Sequence, residues 1–160
     1  MWYWGSSGDA NSFNNSGVLV LMKVFLLRHA TPNWNCMDIP YDILPGPLLT
    51  SKGEKEAEAL AAFLKSERVR KLYHSPFARA AKTAQIISAV NRIPSVEESR
   101  LAEWRMRGET ESQLRRRMKA IFDESLTEAA GMGSIGLVSH GGPIGALLEE
   151  LGIDPDELAA

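Results

Sequence analysis

The stretch VLVLMKVFLL, residues 18–27, is the feature that most limits what this chain can become. A strand with one face in water alternates apolar and polar residues, and this one does not. It reads as a strand buried on both faces, ordered from about Lys23. Such a strand needs cover on both sides. It ends abruptly at Arg28-His29, and Pro32 forbids a regular continuation.

The rest of the chain supplies that cover in alternation. Residues 28–50 read as a loop punctuated by Pro32, Pro40, Pro45 and Pro47. Ser51 and Glu54 fit a capping box, and Ala57, Leu60, Ala61 and Leu64 then recur at helical spacing, predicting a helix over 52–66. Lys71-Leu72-Tyr73 reads as a short strand. Ser75-Pro76 predicts an N-cap and first helical residue, with the helix running to about Val90. A weak third strand covers 94–97. Thr110 or Glu111 opens a long helix with Leu114, Met118, Ile121, Phe122 and Ser125 on one face. Its Arg115, Arg116, Arg117 and Lys119 read as a solvated face rather than a binding patch. Residues 135–138 are a fourth strand, and Pro143 starts a last helix to about Leu151. The expectation is an α/β fold in three layers: a mainly parallel central sheet flanked by helices.

Bulk properties exclude several classes. One domain with a sizeable core fits within 160 residues. A formal net charge of −2 gives no field to recruit nucleic acid or acidic membrane, and no apolar stretch is long enough to span a bilayer. The single cysteine, Cys36, cannot form an internal disulfide, which favours a reducing, cytoplasmic setting. Cys36, His29, His74 and His140 lack metal-ligand spacing, so no metal is expected. His74 is assigned to structure or surface. Residues 1–17, MWYWGSSGDANSFNNSG, are patternless and hold no Lys or Arg, a poor signal peptide. Residues 1–21 are therefore expected to be a flexible extension, and 22–160 the domain, with Met22 just before the first strand. Gly131-Met132-Gly133-Ser134-Ile135-Gly136 satisfies a dinucleotide-binding spacing, but it follows a helix and opens a strand, so it is a turn.

In a parallel sheet, ligands bind beyond the carboxyl ends of the strands. Three polar clusters converge there: Arg28-His29 after the first strand, Arg79 just after the second, and His140-Gly141-Gly142 after the fourth. Two arginines and two histidines on one rim call for an anion, and arginine matches phosphate oxygens bidentately. Helix N-termini behind Ser75 and Gly142 add amide donors. Gly141 and Gly142 let backbone approach the ligand. A neutral His29 imidazole can attack phosphorus directly, with His140 donating to the phosphoryl oxygens from the opposite side. Glu103, beside Trp104 after the third strand, is the candidate acid for the leaving alkoxide, in an apolar setting suited to proton donation.

The combination resembles the histidine phosphatase superfamily, also called phosphoglycerate mutase-like. Arg28-His29-Ala30-Thr31-Pro32-Asn33-Trp34-Asn35 is similar to its R-H-G-x-T-x-x-N segment. Leu49-Thr50-Ser51-Lys52-Gly53, with Ala57, is similar to L-T-x-x-G-x-x-x-A. His74-Ser75-Pro76-Phe77-Ala78-Arg79-Ala80, with Thr83-Ala84, is similar to S-S-P-L-x-R-A-x-x-T-A. Val138-Ser139-His140-Gly141-Gly142 is similar to V-S-H-G-G. The resemblance implies a phosphorylated His29, a phosphate pocket of Arg28, Arg79 and His140, an acid at Glu103, and phosphate binding by Asn35. It implies a phosphomonoesterase that needs no metal or cofactor and acts on a small phosphorylated substrate. The alternatives are a phosphoglycerate mutase, a protein-phosphohistidine phosphatase, or an inactive member that binds phosphorylated ligands. The short 104–112 connection weighs against a mutase, and Glu103 against a protein-phosphohistidine phosphatase.

The chain departs from the pattern at Ala30, Pro32 and His74. It also ends at Ala160, where relatives usually continue, so either a minimal member or a missing C-terminus is expected. Residues 152–160 are too short for a returning strand, and an open sheet edge predicts self-association into a homodimer.

Overall fold

Successive residues of the first predicted strand enter two different cores. Val24 and Leu26 pack with Leu114, Met118, Phe122 and Leu147, whereas Phe25 and Leu27 pack with Leu60, Leu64, Ala84 and Ile87. The unbroken apolar run is thus two interleaved alternations, one for each face. Full burial of each such side chain contributes about 1.5–3 kcal/mol.

The computed structural model describes residues 3–6, 12–13, 19–20, 23–35, 38–104 and 108–154. Along the chain run β1 (Tyr3–Ser6), β2 (Ser12–Phe13), β3 (Leu19–Val20), β4 (Val24–Arg28), α1 (Ser51–Ser66) and β5 (Lys71–His74). Then follow α2 (Ala78–Asn91), β6 (Ser95–Glu97), a 3-10 turn (Ser99–Leu101), α3 (Glu111–Met132), β7 (Ile135–Ser139) and α4 (Gly141–Glu150). The main sheet has the order β1-β4-β7-β5-β6, and its last four strands are parallel. Helices α1 and α2 supply the core on one face, α3 and α4 that on the other. This is the expected three-layer α/β architecture. Strand β7, the last among the described residues, lies between β4 and β5, so the ends of β4, β7 and β5 share one rim.

Several local expectations need correction. Residues 1–21 were expected to be a flexible extension, but Tyr3–Ser6 pairs antiparallel with β4, from Tyr3 opposite Leu27 to Ser6 opposite Val24. Backbone alone accounts for this: β4 offers a row of amide and carbonyl groups on its outer side, which a short extended segment satisfies. The sheet edge beside β4 is thus occupied by β1, and β6 forms the other edge of the sheet. Thr50, not Ser51, caps α1, its side chain accepting from the Gly53 amide. Ser75-Pro76 precede α2 as a turn, with Phe77 at the N-cap. The basic face of α3 is not simply solvated: Arg117 pairs with Glu109 at 2.5 Å and donates to the Arg100 carbonyl. Gly133 ends α3 at φ 106°, as the turn reading of that glycine-rich stretch requires. Met22, Cys36, residues 105–107 and residues 155–160, on which other expectations rest, lie outside the described residues. No helix among the described residues is long and apolar enough to cross a membrane.

Helix α1 is tied to the loop that follows β4. Thr31 donates to Glu56 from both its amide (2.9 Å) and its hydroxyl (2.8 Å), and the Thr50 amide donates to the Thr31 carbonyl at 3.0 Å. A Cβ on Gly53 would lie 2.3 Å from that same carbonyl oxygen. Alanine favours helices by about 1 kcal/mol over glycine in the open. Here the clash is with backbone that is already bonded, so it decides the sign. Gly53→Ala is expected to destabilise the fold by about 1–3 kcal/mol, read as a lowered thermal midpoint; a raised midpoint would show that the loop yields freely.

Candidate active site

The register of the sheet assembles the site. Arg28 lies opposite Ser139 across β4 and β7, so the next residues, His29 and His140, leave the sheet side by side. Their ring centroids are 5.2 Å apart. The His29 amide donates to the Ser139 carbonyl at 3.0 Å, and the Ser75 amide to the Val138 carbonyl at 2.9 Å, so all three strand ends are locked together. The Ser139 hydroxyl donates to the Leu101 carbonyl at 2.7 Å, which holds the segment leading to Glu103 against the same rim.

Hydrogen bonds assign the proton on each imidazole. His29 Nδ1 is 2.8 Å from the Ala30 carbonyl, which can only accept, so Nδ1 carries the proton and Nε2 the free lone pair. His140 Nε2 lies 2.7 Å from the Ser75 hydroxyl, which can donate or accept there and also accepts from the Phe77 amide at 3.3 Å. His140 Nδ1 is buried, has no hydrogen-bond partner among the described residues, and lies 3.4 Å from Glu103 Oε2, an acceptor that places hydrogen on Nδ1.

Arg79 is fully buried, its guanidinium between two aromatic rings, 3.8 Å from the Tyr41 centroid and 4.7 Å from that of Phe77. Its Nε donates to His29 Nε2 at 3.2 Å, one terminal nitrogen to the Tyr41 carbonyl at 2.9 Å, and the other to Glu103 Oε2 at 3.3 Å. Thr83, a turn further along α2, accepts from the Ala30 amide at 3.1 Å and donates to the Arg79 carbonyl at 2.7 Å. It therefore couples the loop of His29 to the helix of Arg79. Arg28, His29, Ala30, Thr31, Pro32, Trp34 and Glu56 wall a cavity of about 290 Å³. Gly141 lies against the Arg28 guanidinium: a Cβ there would be 3.7 Å from its central carbon. Helix α4 has no side-chain cap at His140, so no side chain competes for its first-turn amides.

Of the residues expected from sequence, Arg28, His29, Arg79, Glu103, His140 and Gly141 come together. Asn35 does not join them. It is exposed in a turn, its amide donating to Asn33 Oδ1 at 3.1 Å, and it is not among the cavity walls. Trp34 and Asn35 form an exposed turn beyond Pro32. Glu103 also differs from expectation. In place of an apolar setting, its oxygens meet Arg79, the Trp104 amide at 3.1 Å, and the edge of His140. Tyr41, Ser75 in its role toward His140, Thr83 and Glu56 were not anticipated. Thr83 stands in a matched segment and could have been noticed; Tyr41 carries no signal in its sequence neighbourhood.

Both imidazoles are neutral at physiological pH. Burial, aided by the charges of Arg79 and Arg28 against the opposing Ala30 bond, lowers His29 from the ordinary 6.5 to about 4. Burial first, then Arg79, lowers His140 to about 2. An unfolded chain titrates both near 6.5, so below that pH it takes up protons that the folded chain refuses. Stability is fully present above about pH 6.5 and is lost as pH falls toward the folded values, by up to about 1.4 kcal/mol per pH unit for each histidine. His140→Asn is therefore expected to flatten the fall in urea-unfolding free energy between pH 6.5 and 4. An unchanged slope in that variant would remove His140 as a source of it.

Residues 24–107, over half of the chain, match the model of the histidine phosphatase superfamily (branch 1), and the chain belongs to that superfamily. "Probable phosphoglycerate mutase GpmB" of Yersinia enterocolitica is 29% identical over 168 residues, covering 84% of this chain and 77% of the relative. Phosphoserine phosphatase 1 of Hydrogenobacter thermophilus is 34% identical over 83 residues, covering 52% of this chain but 39% of the relative. Among solved structures, YhfR of Bacillus stearothermophilus superposes with a TM-score of 0.68 at 21% identity, covering 84% of this chain and 82% of that one. That last likeness is one of fold.

Proposed function

We propose that this histidine phosphatase superfamily member is a phosphomonoesterase that acts through a phosphohistidine on a small phosphorylated metabolite, without a metal. The observation that carries the reading is the His29 lone pair on Nε2, set by the Nδ1 bond to Ala30 and met by Arg79 at 3.2 Å. In the first step Nε2 attacks phosphorus, the N–P bond forms and the P–O bond to the leaving group breaks. Arg28, Arg79 and the His140 Nδ1–H take the charge on the phosphoryl oxygens, the role a metal plays elsewhere. Glu103 gives its proton to the departing alkoxide. Water then attacks the phosphohistidine, Glu103 takes back a proton, and inorganic phosphate leaves with His29 restored.

Glu103 Oε2 lies 3.3 Å from a terminal nitrogen of Arg79 and 3.4 Å from His140 Nδ1, so its carboxyl group stands beside the groups that would hold the phosphoryl oxygens. The relatives named for phosphoserine phosphatase and phosphoglycerate mutase point to small phosphorylated hydroxy acids as the first compounds to try. The test is phosphate release from a panel of phosphorylated sugars, nucleotides, hydroxy acids and serine, with a chelator present. Release from at least one small ester is expected. Phosphoryl shuffling between phosphoglycerates with no release would make the chain a mutase, and silence on the whole panel would overturn the reading.

A further inference from the structure

Tyr41 stands in the way of the reaction just described. Its hydroxyl donates to His29 Nε2 at 3.1 Å, and the Nδ1–H bond to Ala30 leaves that nitrogen a single lone pair. A phosphorus atom poised for attack needs to sit about 3–3.5 Å from the same nitrogen. The hydroxyl oxygen is at that distance already, on the atom that must react. Arg79 Nε shares the lone pair at 3.2 Å, but arginine has five N–H groups and a charge to offer the incoming oxygens. It changes partner, whereas the tyrosine hydroxyl has to leave.

The contacts of Tyr41 show how it is held there. Its ring stacks on Trp34 with centroids 4.6 Å apart and 17° between planes, and it covers the Arg79 guanidinium. Its carbonyl accepts from Arg79 at 2.9 Å. Four residues later the Pro45 carbonyl accepts from the Ala78 amide at 2.8 Å, so the loop is fastened across the start of α2. Gly46, at φ 69°, passes so close that a Cβ would lie 2.8 Å from an Arg79 nitrogen. Residues 41–46 thus occupy both the nucleophile and the phosphate-binding arginine.

We infer that Tyr41 is a further affinity-determining residue of this site: its hydroxyl is an internal competitor that the phosphoryl group must displace from His29 Nε2. The inference rests on His29 being the nucleophile. It assigns to the hydroxyl a bond present in the free enzyme and broken in the complex, so that bond subtracts from phosphate affinity. The ring, by contrast, keeps its place against Trp34 and Arg79 in a phenylalanine variant.

The experiment is isothermal titration of wild type and Tyr41→Phe with inorganic phosphate and with orthovanadate, neither of which depends on turnover. The phenylalanine variant is expected to bind both roughly 2- to 10-fold more tightly, the range of one net hydrogen bond. Its KM for p-nitrophenyl phosphate should fall by a similar factor. A merely structural role for the hydroxyl predicts the reverse, a looser loop with weaker binding and a lower thermal midpoint. Equal or weaker oxyanion binding by the variant, with wild type still binding, overturns the inference alone. Failure of both proteins to bind either oxyanion overturns the phosphate pocket and the inference together.

Discussion

His29→Ala is expected to lower turnover by at least about ten-thousand-fold, the scale on which removal of a covalent nucleophile acts. It should also abolish the acid-labile phosphate label that wild type acquires from substrate. No neighbouring group is placed to substitute. His140 is engaged on both sides, by the Ser75 hydroxyl at Nε2 (2.7 Å) and by the Glu103 carboxylate beside Nδ1 (3.4 Å). Tyr41 has a hydroxyl at the right place, but burial raises its pKa further above the ordinary 10, and a neutral phenol is a poor nucleophile. The loss should therefore lie in chemistry while oxyanion affinity stays measurable, since Arg28, Arg79 and His140 remain. The check is rapid quench with labelled substrate, followed by acid and alkaline treatment of the denatured protein. Labelling of the variant at wild-type stoichiometry would take the nucleophile role away from His29.

Residues whose roles follow from strand ends were legible before any coordinates. The apolar run 24–27 announced a strand covered on both faces, and a parallel sheet places whatever follows its strands on one rim. Arg28, His29, Glu103, His140 and Gly141 meet there for that reason, and Arg79 follows from the helix behind β5. What was not legible depends on the course of irregular chain. Asn35 matched a familiar spacing, but its position depends on how the loop turns after Pro32, which no periodicity encodes. Tyr41 reaches His29 by the return of that same loop. Strand β1 was missed for another reason: edge pairing draws on backbone groups that every residue carries, so it leaves no mark in residue type. Ser75 was noticed as a helix cap, yet its hydroxyl meets His140, and the helix starts at Ala78 with Phe77 at its N-cap.

Arg79 is fully engaged by protein partners. Every arginine nitrogen of Arg79 that bonds at all does so to His29, Tyr41 or Glu103, and the guanidinium has no exposed surface. A buried cation of this kind persists only if partners compensate its desolvation. A phosphate bound by Arg79 would therefore exchange one set of guanidinium partners for another, and the partners given up are His29, Tyr41 and Glu103.

Glu103→Gln tests Glu103 as the acid. Glutamine keeps the shape of the side chain, and its single carbonyl oxygen can still accept from Arg79 or from the Trp104 amide though not at both oxygen positions, so the fold should survive. It cannot deliver a proton to an alkoxide. A proton donor matters in proportion to the basicity of the departing oxygen, with general acid catalysis supplying roughly a hundred-fold to ten-thousand-fold where it is needed. An alkyl phosphate, whose alkoxide is strongly basic, is therefore expected to lose at least about a hundred-fold in kcat/KM. The nitrophenolate of p-nitrophenyl phosphate leaves without help, so its loss should be only a few-fold. In a plot of rate against leaving-group basicity the variant should show a much steeper slope than wild type. The same comparison separates chemistry from binding: if Glu103 serves only to orient Arg79, both substrates lose equally and the slope does not change, and the acid must then be sought elsewhere on the rim.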